Sequence, residues 1–540
     1  MSEPYPVETG LMEGALLSPF LYTVFIDGLA RELEAEGLGA RLGVGGAWVG
    51  ALYYADDLAL VAESAGEMQK MLRVVDRYCR EWHFQPSFDK TKVLRFGKAA
   101  KDATPLYLPS MHHTKPPPSA GHVDGGLGTD TNPVSVAAEY PYLGVVVHDK
   151  RGFTRHVEAV VVPAMQAALV DVFDYAEVQG GLPLDGAQAV VRAVVQSKAA
   201  HGAGVWAPVG VATGRGSRLW AVTQEAAGAV RVAANKAARV AVGVPTHTPM
   251  AGVWAELKVD ATDSAWAAAV VRLWVRVTSL PRGRLAREAW EWAWEHEGSS
   301  VFVRRVRAAH QTVLGQALPP DGRPSGGQEA LREAVRIGLR QRAVAGWEEH
   351  VARHVGDGAD WYSGVPVPGD GRFRRDPVGG SDEMAVRAMT GLRLDGSYLQ
   401  SRVGALGARN GRVRVGERAC PLCLAGYPEA GVVFERESAP VEDVPHFLAL
   451  CPGLAAERAV MLGELEAVYP GFGARYATML PAARAEALLF TVPDGRWPSQ
   501  HVGGAGEVQR AGATRAVAGF VRGAAAVHPC MGRALWVMDR

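Results

Sequence analysis

Leu21, Val24, Phe25, Leu29 and Leu33 recur at three- and four-residue spacing between Ser18 and Gly37. The pattern predicts an amphipathic helix with Ser18 as N-cap, Pro19 at its first position and Gly37 closing it. Two short apolar runs follow, Trp48 to Tyr54 and Leu58 to Val61, separated only by Ala55, Asp56 and Asp57. A β-hairpin with carboxylates at its tip is expected. Met68, Met71, Leu72, Val75 and Tyr78 mark one face of a helix over 65–82, and Thr91 to Phe96 suits a strand.

From Ala99 to Val134 the composition shifts to Pro, Gly, His and Thr (HHTKPPPSAGHVDGGLGTDTNP). So few apolar side chains predict a mobile insertion, taken as 99–137. Tyr140 to His148, YPYLGVVVH, returns to a strand pattern, completing a segment at 138–150. Ala- and Val-rich helical patterns then run from 155 to 280, broken at Gly180-Gly181, Pro208 and Gly243-Val244-Pro245, without a fixed-period repeat. Pro319 to Gly327 and Gly364 to Gly380 read as linkers on either side of a helix at 332–354.

Composition narrows the class. With 540 residues, 48% of them apolar, the chain can bury more than one core, and wholesale disorder is excluded. No run approaches the roughly 20 uninterrupted apolar residues of a bilayer span, and the first ten residues lack the basic start of a secretory signal. Five cysteines in this length argue against a disulfide-stapled secreted fold. A soluble protein of a reducing, intracellular compartment is expected, with no membrane partner. The 57 basic and 57 acidic side chains cancel, so any nucleic-acid contact must come from local basic surface. Counting along the chain, residues 1–100 hold 14 acidic and 10 basic side chains, whereas 301–420 hold 13 acidic and 19 basic, all Arg.

Two clusters could carry chemistry. Adjacent carboxylates such as Asp56 and Asp57 repel unless a cation sits on them, and Mg²⁺, a hard ion that prefers oxygen, is the natural candidate. The same dipeptide also suits an ordinary turn. Cys420, Cys423, His446 and Cys451, spaced C-x2-C-x22-H-x4-C, offer the four soft or borderline donors that tetrahedral Zn²⁺ requires. His446 and Cys451 would come from the start of a helix, HFLALC. Upstream, Arg402, Arg409, Arg412, Arg414 and Arg418 alternate with a single acid, Glu417, and form either a phosphate-tracking stripe or a solvated linker. Trp290, Trp292 and Trp294 cannot share one helix face at their spacing, which favours partial core burial over base stacking.

The succession TGLMEGALLSPFLY, YYADDLALV, DKTKVLRF and YLGVVV resembles the palm of reverse transcriptases, nearest to those of non-long-terminal-repeat retrotransposons. The resemblance implies that Gly14, Ser18 and Pro19 line the nucleotide and template site. It implies that Tyr54 to Asp57 is the catalytic YxDD box, with Asp56 the Mg²⁺ ligand, Asp57 its supporting neighbour and Tyr54 close to the nucleotide. Lys90 corresponds to the lysine of the next segment, and Tyr142, Leu143 and Gly144 to the primer-gripping hairpin. Residues 182–206 and 244–257 are similar to the thumb helices of such elements, and the CPLC to HFLALCP segment to their zinc-binding tail. RNA template, DNA primer or duplex, and dNTP are the implied partners; Arg409, Arg412 and Arg414 would meet the nucleic-acid backbone.

The resemblance also has gaps. The family carries a further palm strand with a metal-binding Asp before TG…SP, whereas this chain begins eight residues before Thr9. Val170 to Asp174, VDVFD, lies in a helical pattern, and Asp27 lies on a helix; neither replaces that Asp. Glu13 stands where Gln is usual and Ser87 where Asn is usual. The expectation is therefore an α+β chain with a truncated palm over 1–98 and 138–150. A helical thumb at 151–280, a connector at 281–400, a zinc segment at 401–455 and a helical region at 456–540 complete it. It is expected to be inactive alone. The rival expectations are a non-catalytic, zinc-dependent RNA- or DNA-binding protein and a misplaced start at Met1. What such elements do implies nuclear placement.

Overall fold

The first helix, α1 (Ser18–Ala35), buries Ile26, Leu29 and Leu33 against α2 (Ala65–Glu81). The start of the helix differs from expectation. Leu17 occupies the cap position with αR backbone and Ser18 is already helical, so no side chain caps the helix. Leu21 and Val24 of the expected stripe are exposed together with Leu16, Leu17 and Phe20. Gly28 lets Tyr78 approach α1 closely: a β-carbon on Gly28 would lie 2.7 Å from the Tyr78 hydroxyl. That hydroxyl donates to the Phe25 carbonyl at 2.6 Å. At the other end Ser64 caps α2 by accepting the Glu67 amide at 3.2 Å, while the Glu67 carboxylate accepts the amides of Glu63 and Gly39, each at 2.8 Å.

The computed structural model describes residues 16–87, 89–108, 133–178, 182, 184–210, 222–244, 248–298, 300–354, 389, 392, 419–425, 439–491 and 504–527. Between the first two helices, β1 (Ala51–Tyr54) and β2 (Asp57–Leu60) pair antiparallel with Tyr53 opposite Leu58 and Tyr54 opposite Asp57. Ala51 is buried in the α1–α2 core, and Tyr53, Leu58 and Leu60 pack against it. Thr91 to Phe96 is not a strand; only Val93 bridges, in parallel, to Val136. The expected insertion is corrected at both ends. Leu106, Leu108 and Val134 join Leu72 in a small core, and the Gln69 amide both donates to and accepts from the Tyr107 backbone, at 2.9 and 2.7 Å. A borrowed side-chain amide supplies the pairing that a neighbouring strand would give. Residues 109–132 lie outside the described residues.

The YPYLGVVVH segment folds back on itself as β3 (Glu139–Tyr142) and β4 (Val145–His148). Leu143 and Gly144, at φ +50° and +79°, make the two-residue turn, because left-handed backbone at both positions matches the twist of a hairpin. The hairpin is tied to the helical body: the buried His156 Nδ1 accepts the Val146 amide at 3.3 Å, and Arg155 grips Glu139 with two bonds of 2.6 and 3.1 Å.

Helices α3 (Thr154–His156), α4 (Val162–Val178), α5 (Leu184–Val190), α6 (Ser197–Ala199), α7 (Ala203–Trp206), α8 (Gln224–Val242), α9 (Met250–Glu256) and α10 (Thr262–Thr278) fill the region read as helical. Thr154–Tyr175, continuous through a π-helical turn at Val157–Val161, is by length and composition apolar enough to cross a membrane. In this fold it places Val157, Val161, Met165, Ala168 and Val172 in the core, where α4 packs on α8. Two buried indoles here donate to backbone carbonyls: Trp266 to Ala199 at 2.8 Å and Trp206 to His201 at 2.6 Å.

Helices α11 (Leu285–Glu295), α12 (Val301–Leu314) and α13 (Gln328–His354) continue the same core. The stretch read as a linker at 319–327 is docked, for Gly322, at φ +67°, offers its carbonyl to the indoles of Trp274 and Trp290 at 3.1 and 3.2 Å. Trp290 is buried; Trp292 stacks on His296 and Trp294 lies under Arg307, which agrees with the expectation of partial burial. Within the Cys/His segment, α14 (Pro421–Ala425) carries Cys423; beyond it, α15 (Ala455–Val468), α16 (Phe472–Ala477), α17 (Pro481–Glu486) and α18 (Gly504–Val527) close the described chain. Among the described residues the fold is mostly helical with two separate two-stranded antiparallel sheets, α+β as expected.

Candidate active site and metal centre

The acidic hairpin turns on two residues, Ala55 and Asp56, because Asp57 is already paired with Tyr54. The expectation of a three-residue tip is thereby corrected: Asp56 sits in the turn and Asp57 begins β2. Tyr54, Asp56 and Asp57 are all exposed. Ala55 adopts φ +50°, a left-handed conformation that costs a residue with a β-carbon about 1–2 kcal/mol. The core packing of Tyr53 and Leu58 immediately below supports that strain and holds the acids at the crest.

Each acid has a phenol in its electrostatic range. Burial, then the charge of Asp56, raises the Tyr22 phenol on α1. Burial, then the charge of Asp57, raises that of Tyr142 at the end of β3. Beneath them, Tyr53 is raised by burial and by Tyr78, Asp27 and Tyr22. Its hydroxyl is buried and has no hydrogen-bond partner among the described residues. The Tyr142 phenol, just before the Leu143–Gly144 turn of the second hairpin, thus lies in the field of Asp57. Pro19 is exposed in the first turn of α1, where its carbonyl accepts the Thr23 hydroxyl at 2.8 Å, and Ser18 is half-buried beside it. Lys90 is exposed in a turn and makes no ion pair with either acid among the described residues. Gly14 lies outside the described residues, as do Arg409, Arg412 and Arg414.

As a Mg²⁺ site the hairpin supplies carboxylate oxygens from two adjacent residues, which suits one ion that keeps most of its water or shares substrate phosphates. Among the described residues, no third acid or imidazole forms a metal-binding group with them. A groove of about 410 Å³ at the end of α2, lined by Cys79, Arg80, His83, Phe84 and Leu108 among others, includes none of the expected site residues.

The donors 420, 423, 446 and 451 do converge. Their ligand atoms all lie within 4.8 Å of one another and all four residues are buried. Cys420 and Cys451 Sγ are 3.7 Å apart, and Cys423 Sγ is 3.3 Å from His446 Nε2. A disulfide is about 2.05 Å long, whereas Zn–S bonds of about 2.3 Å in a tetrahedron separate two sulfurs by roughly 3.7 Å. The donor set fits Zn²⁺. The helix expected at HFLALC is a single π-helical turn, His446–Leu450, which sets the spacing between its two ligands. A hydrogen bond to Cys451 and burial push Cys420 up, burial and the Cys451 charge push Cys423 up, and hydrogen bonds from Cys420 and His446 hold Cys451 low. Three thiolates held this close together require a cation.

Residues 1–147 match the family model described as "Reverse transcriptase (RNA-dependent DNA polymerase)". The match covers the acidic hairpin and the second hairpin up to Val147, and leaves the helical body and the Cys/His centre outside it. No curated protein matches the chain.

Tyr22, Tyr53, Asp443 and Arg458 are not among the residues expected from the sequence. Asp443 accepts the His446 amide at 2.7 Å, and Arg458 donates to the carbonyls of Leu448 and Cys451 at 2.9 and 2.8 Å. Asp443, three residues before a ligand at helix-capping distance, had a usable signal. The other three depend on contacts that no spacing encodes.

Proposed function

We propose that the chain is a retrotransposon-type reverse transcriptase domain, an RNA-directed DNA polymerase, of the class without long terminal repeats. The observation that carries this reading is the exposed Asp56–Asp57 hairpin beside the Tyr142 hairpin, within a segment that matches the reverse transcriptase family model. In the reaction a primer 3′-oxygen attacks the α-phosphorus of a dNTP and pyrophosphate leaves. Asp56 and Asp57 would hold Mg²⁺, which supplies charge neutralisation at the reacting phosphate. Tyr54, paired with Asp57, would flank the nucleotide. Gly14, Ser18, Pro19 and Lys90 would border nucleotide and template, and the turn at Leu143 and Gly144 would seat the primer. Cys420, Cys423, His446 and Cys451 would hold a structural Zn²⁺, with Arg409, Arg412 and Arg414 contacting RNA or DNA backbone upstream of it. Placement in the nucleus follows from this reading.

Two-metal transfer draws carboxylates from more than one strand, and the described residues bring only one hairpin's pair together. We therefore expect the purified chain to bind template–primer without extending it. An RNA-templated extension assay with Mg²⁺ tests this. Incorporation that vanishes in Asp56→Ala overturns the inactivity while supporting the polymerase; absence of template–primer binding at low salt counts against the polymerase reading itself.

A further inference from the structure

Arg458 lies on the first turns of α15, seven residues beyond Cys451, yet its guanidinium turns back to the metal-binding segment. Nε donates to the Leu448 carbonyl at 2.9 Å and a terminal nitrogen donates to the Cys451 carbonyl at 2.8 Å. Both acceptors leave the π-helical turn that carries His446 and ends at Cys451. One planar fork therefore spans the backbone between two of the four ligands. A turn of this kind has terminal carbonyls without partners of its own, so removing the fork frees the path that sets the His446–Cys451 spacing.

Charge points the same way. Zinc on three thiolates and a neutral imidazole carries one net negative charge, and Glu442, fully buried, adds its field at Cys420. Arg458 is part-buried and interacts electrostatically with Cys451. Its positive charge is maintained at any physiological pH.

We propose that Arg458 is a positioning residue of the Cys420–Cys423–His446–Cys451 centre, which fixes the His446–Cys451 turn and balances the charge of the loaded site. This inference rests on the zinc reading above. Arg484, on α17, which packs on the same π-helical turn, donates to the carbonyls of Tyr476 and Ala477 and lies over the Tyr476 ring; it is the comparison, a neighbouring carbonyl-bonded arginine whose bonds are not to the ligand segment.

The test compares the full chain with Arg458→Lys, Arg458→Gln and Arg484→Gln. Zn²⁺ affinity is measured by competition with a chromophoric chelator, the ligand field by Co²⁺ absorption, and the fold by far-ultraviolet circular dichroism. We expect Arg458→Gln to bind Zn²⁺ roughly 10–100-fold more weakly with altered Co²⁺ bands and unchanged helicity. Arg458→Lys should regain part of that affinity, and Arg484→Gln should match the parent. Parent-like affinity and spectrum in Arg458→Gln overturn the proposal. So does an equal loss in Arg458→Gln and Arg484→Gln that follows lost helicity, which would make the role purely structural. A parent chain that takes up neither metal refutes the zinc reading itself, a result distinct from either.

Discussion

Tyr142 and Asp57 belong to different hairpins 85 positions apart in sequence, yet the charge of Asp57 reaches the Tyr142 phenol and, after burial, is the second cause of its raised pKa. The charge at the crest of one hairpin therefore acts on the phenol at the end of the other.

Asp57→Asn should lower the Tyr142 pKa, because a neutral amide no longer opposes the phenolate. A raised phenol pKa contributes stability that is present below the unfolded value near 10 and lost as pH rises through the folded value. The substitution should accordingly remove part of the stability difference between neutral and strongly alkaline pH. Tyrosinate absorbance titration of parent, Asp57→Asn and Tyr142→Phe checks it; an Asp57→Asn curve identical to the parent's would separate the hairpins.

Gly28→Ala should destabilise the α1–α2 pair by about 1–3 kcal/mol, since the new methyl would meet the Tyr78 hydroxyl at 2.7 Å. Combining it with Tyr78→Phe should recover part of that loss, because the nearest remaining ring atoms lie at 3.3 Å or more. Urea unfolding of the four combinations reads the coupling, and strictly additive effects would contradict the close approach.

Gln69→Ala should release the Tyr107 backbone from both of its side-chain bonds. Faster amide hydrogen exchange at Tyr107 is expected, with α2 otherwise protected. Unchanged exchange at that amide would show that the strand-like pairing is held by something else.

Ala55→Gly should relieve left-handed strain at the turn and shift stability by no more than about 1 kcal/mol, since glycine's own unfolded-state entropy offsets the gain. Ala55→Val should destabilise clearly more, because a β-branched side chain tolerates φ +50° poorly. Equal midpoints for glycine and valine in denaturant titrations would rule out the turn geometry.

Metal uptake should fall as pH falls, because zinc binding requires thiolates and a neutral imidazole, and protons compete for all four donors. Cys423→Ser should abolish tight binding at neutral pH. Equilibrium dialysis against Zn²⁺ across pH measures both, and pH-independent uptake would place the metal elsewhere.

Much of this molecule was open to reading from its residues alone. Tyr54 to Asp57 between two apolar runs determined a hairpin, since only a tight turn joins strands so close together. The C-x2-C pair with His446 and Cys451 determined a donor set, since few other arrangements bring three thiols and an imidazole to such spacing. Residue order could not decide which positions pair across that hairpin, that YPYLGVVVH folds back on itself, or that Gly322 docks a presumed linker beneath two indoles. Nor could it show that Leu21 and Val24 face solvent while Ile26 faces the core, or that Arg458 reaches back to the metal-binding turn. Periodicity and spacing report what neighbouring residues can do together, because their separation is set by bond geometry. Which distant groups meet is decided by the packing of whole elements, where burial of indoles and satisfaction of every backbone carbonyl select one arrangement among many that the local pattern allows.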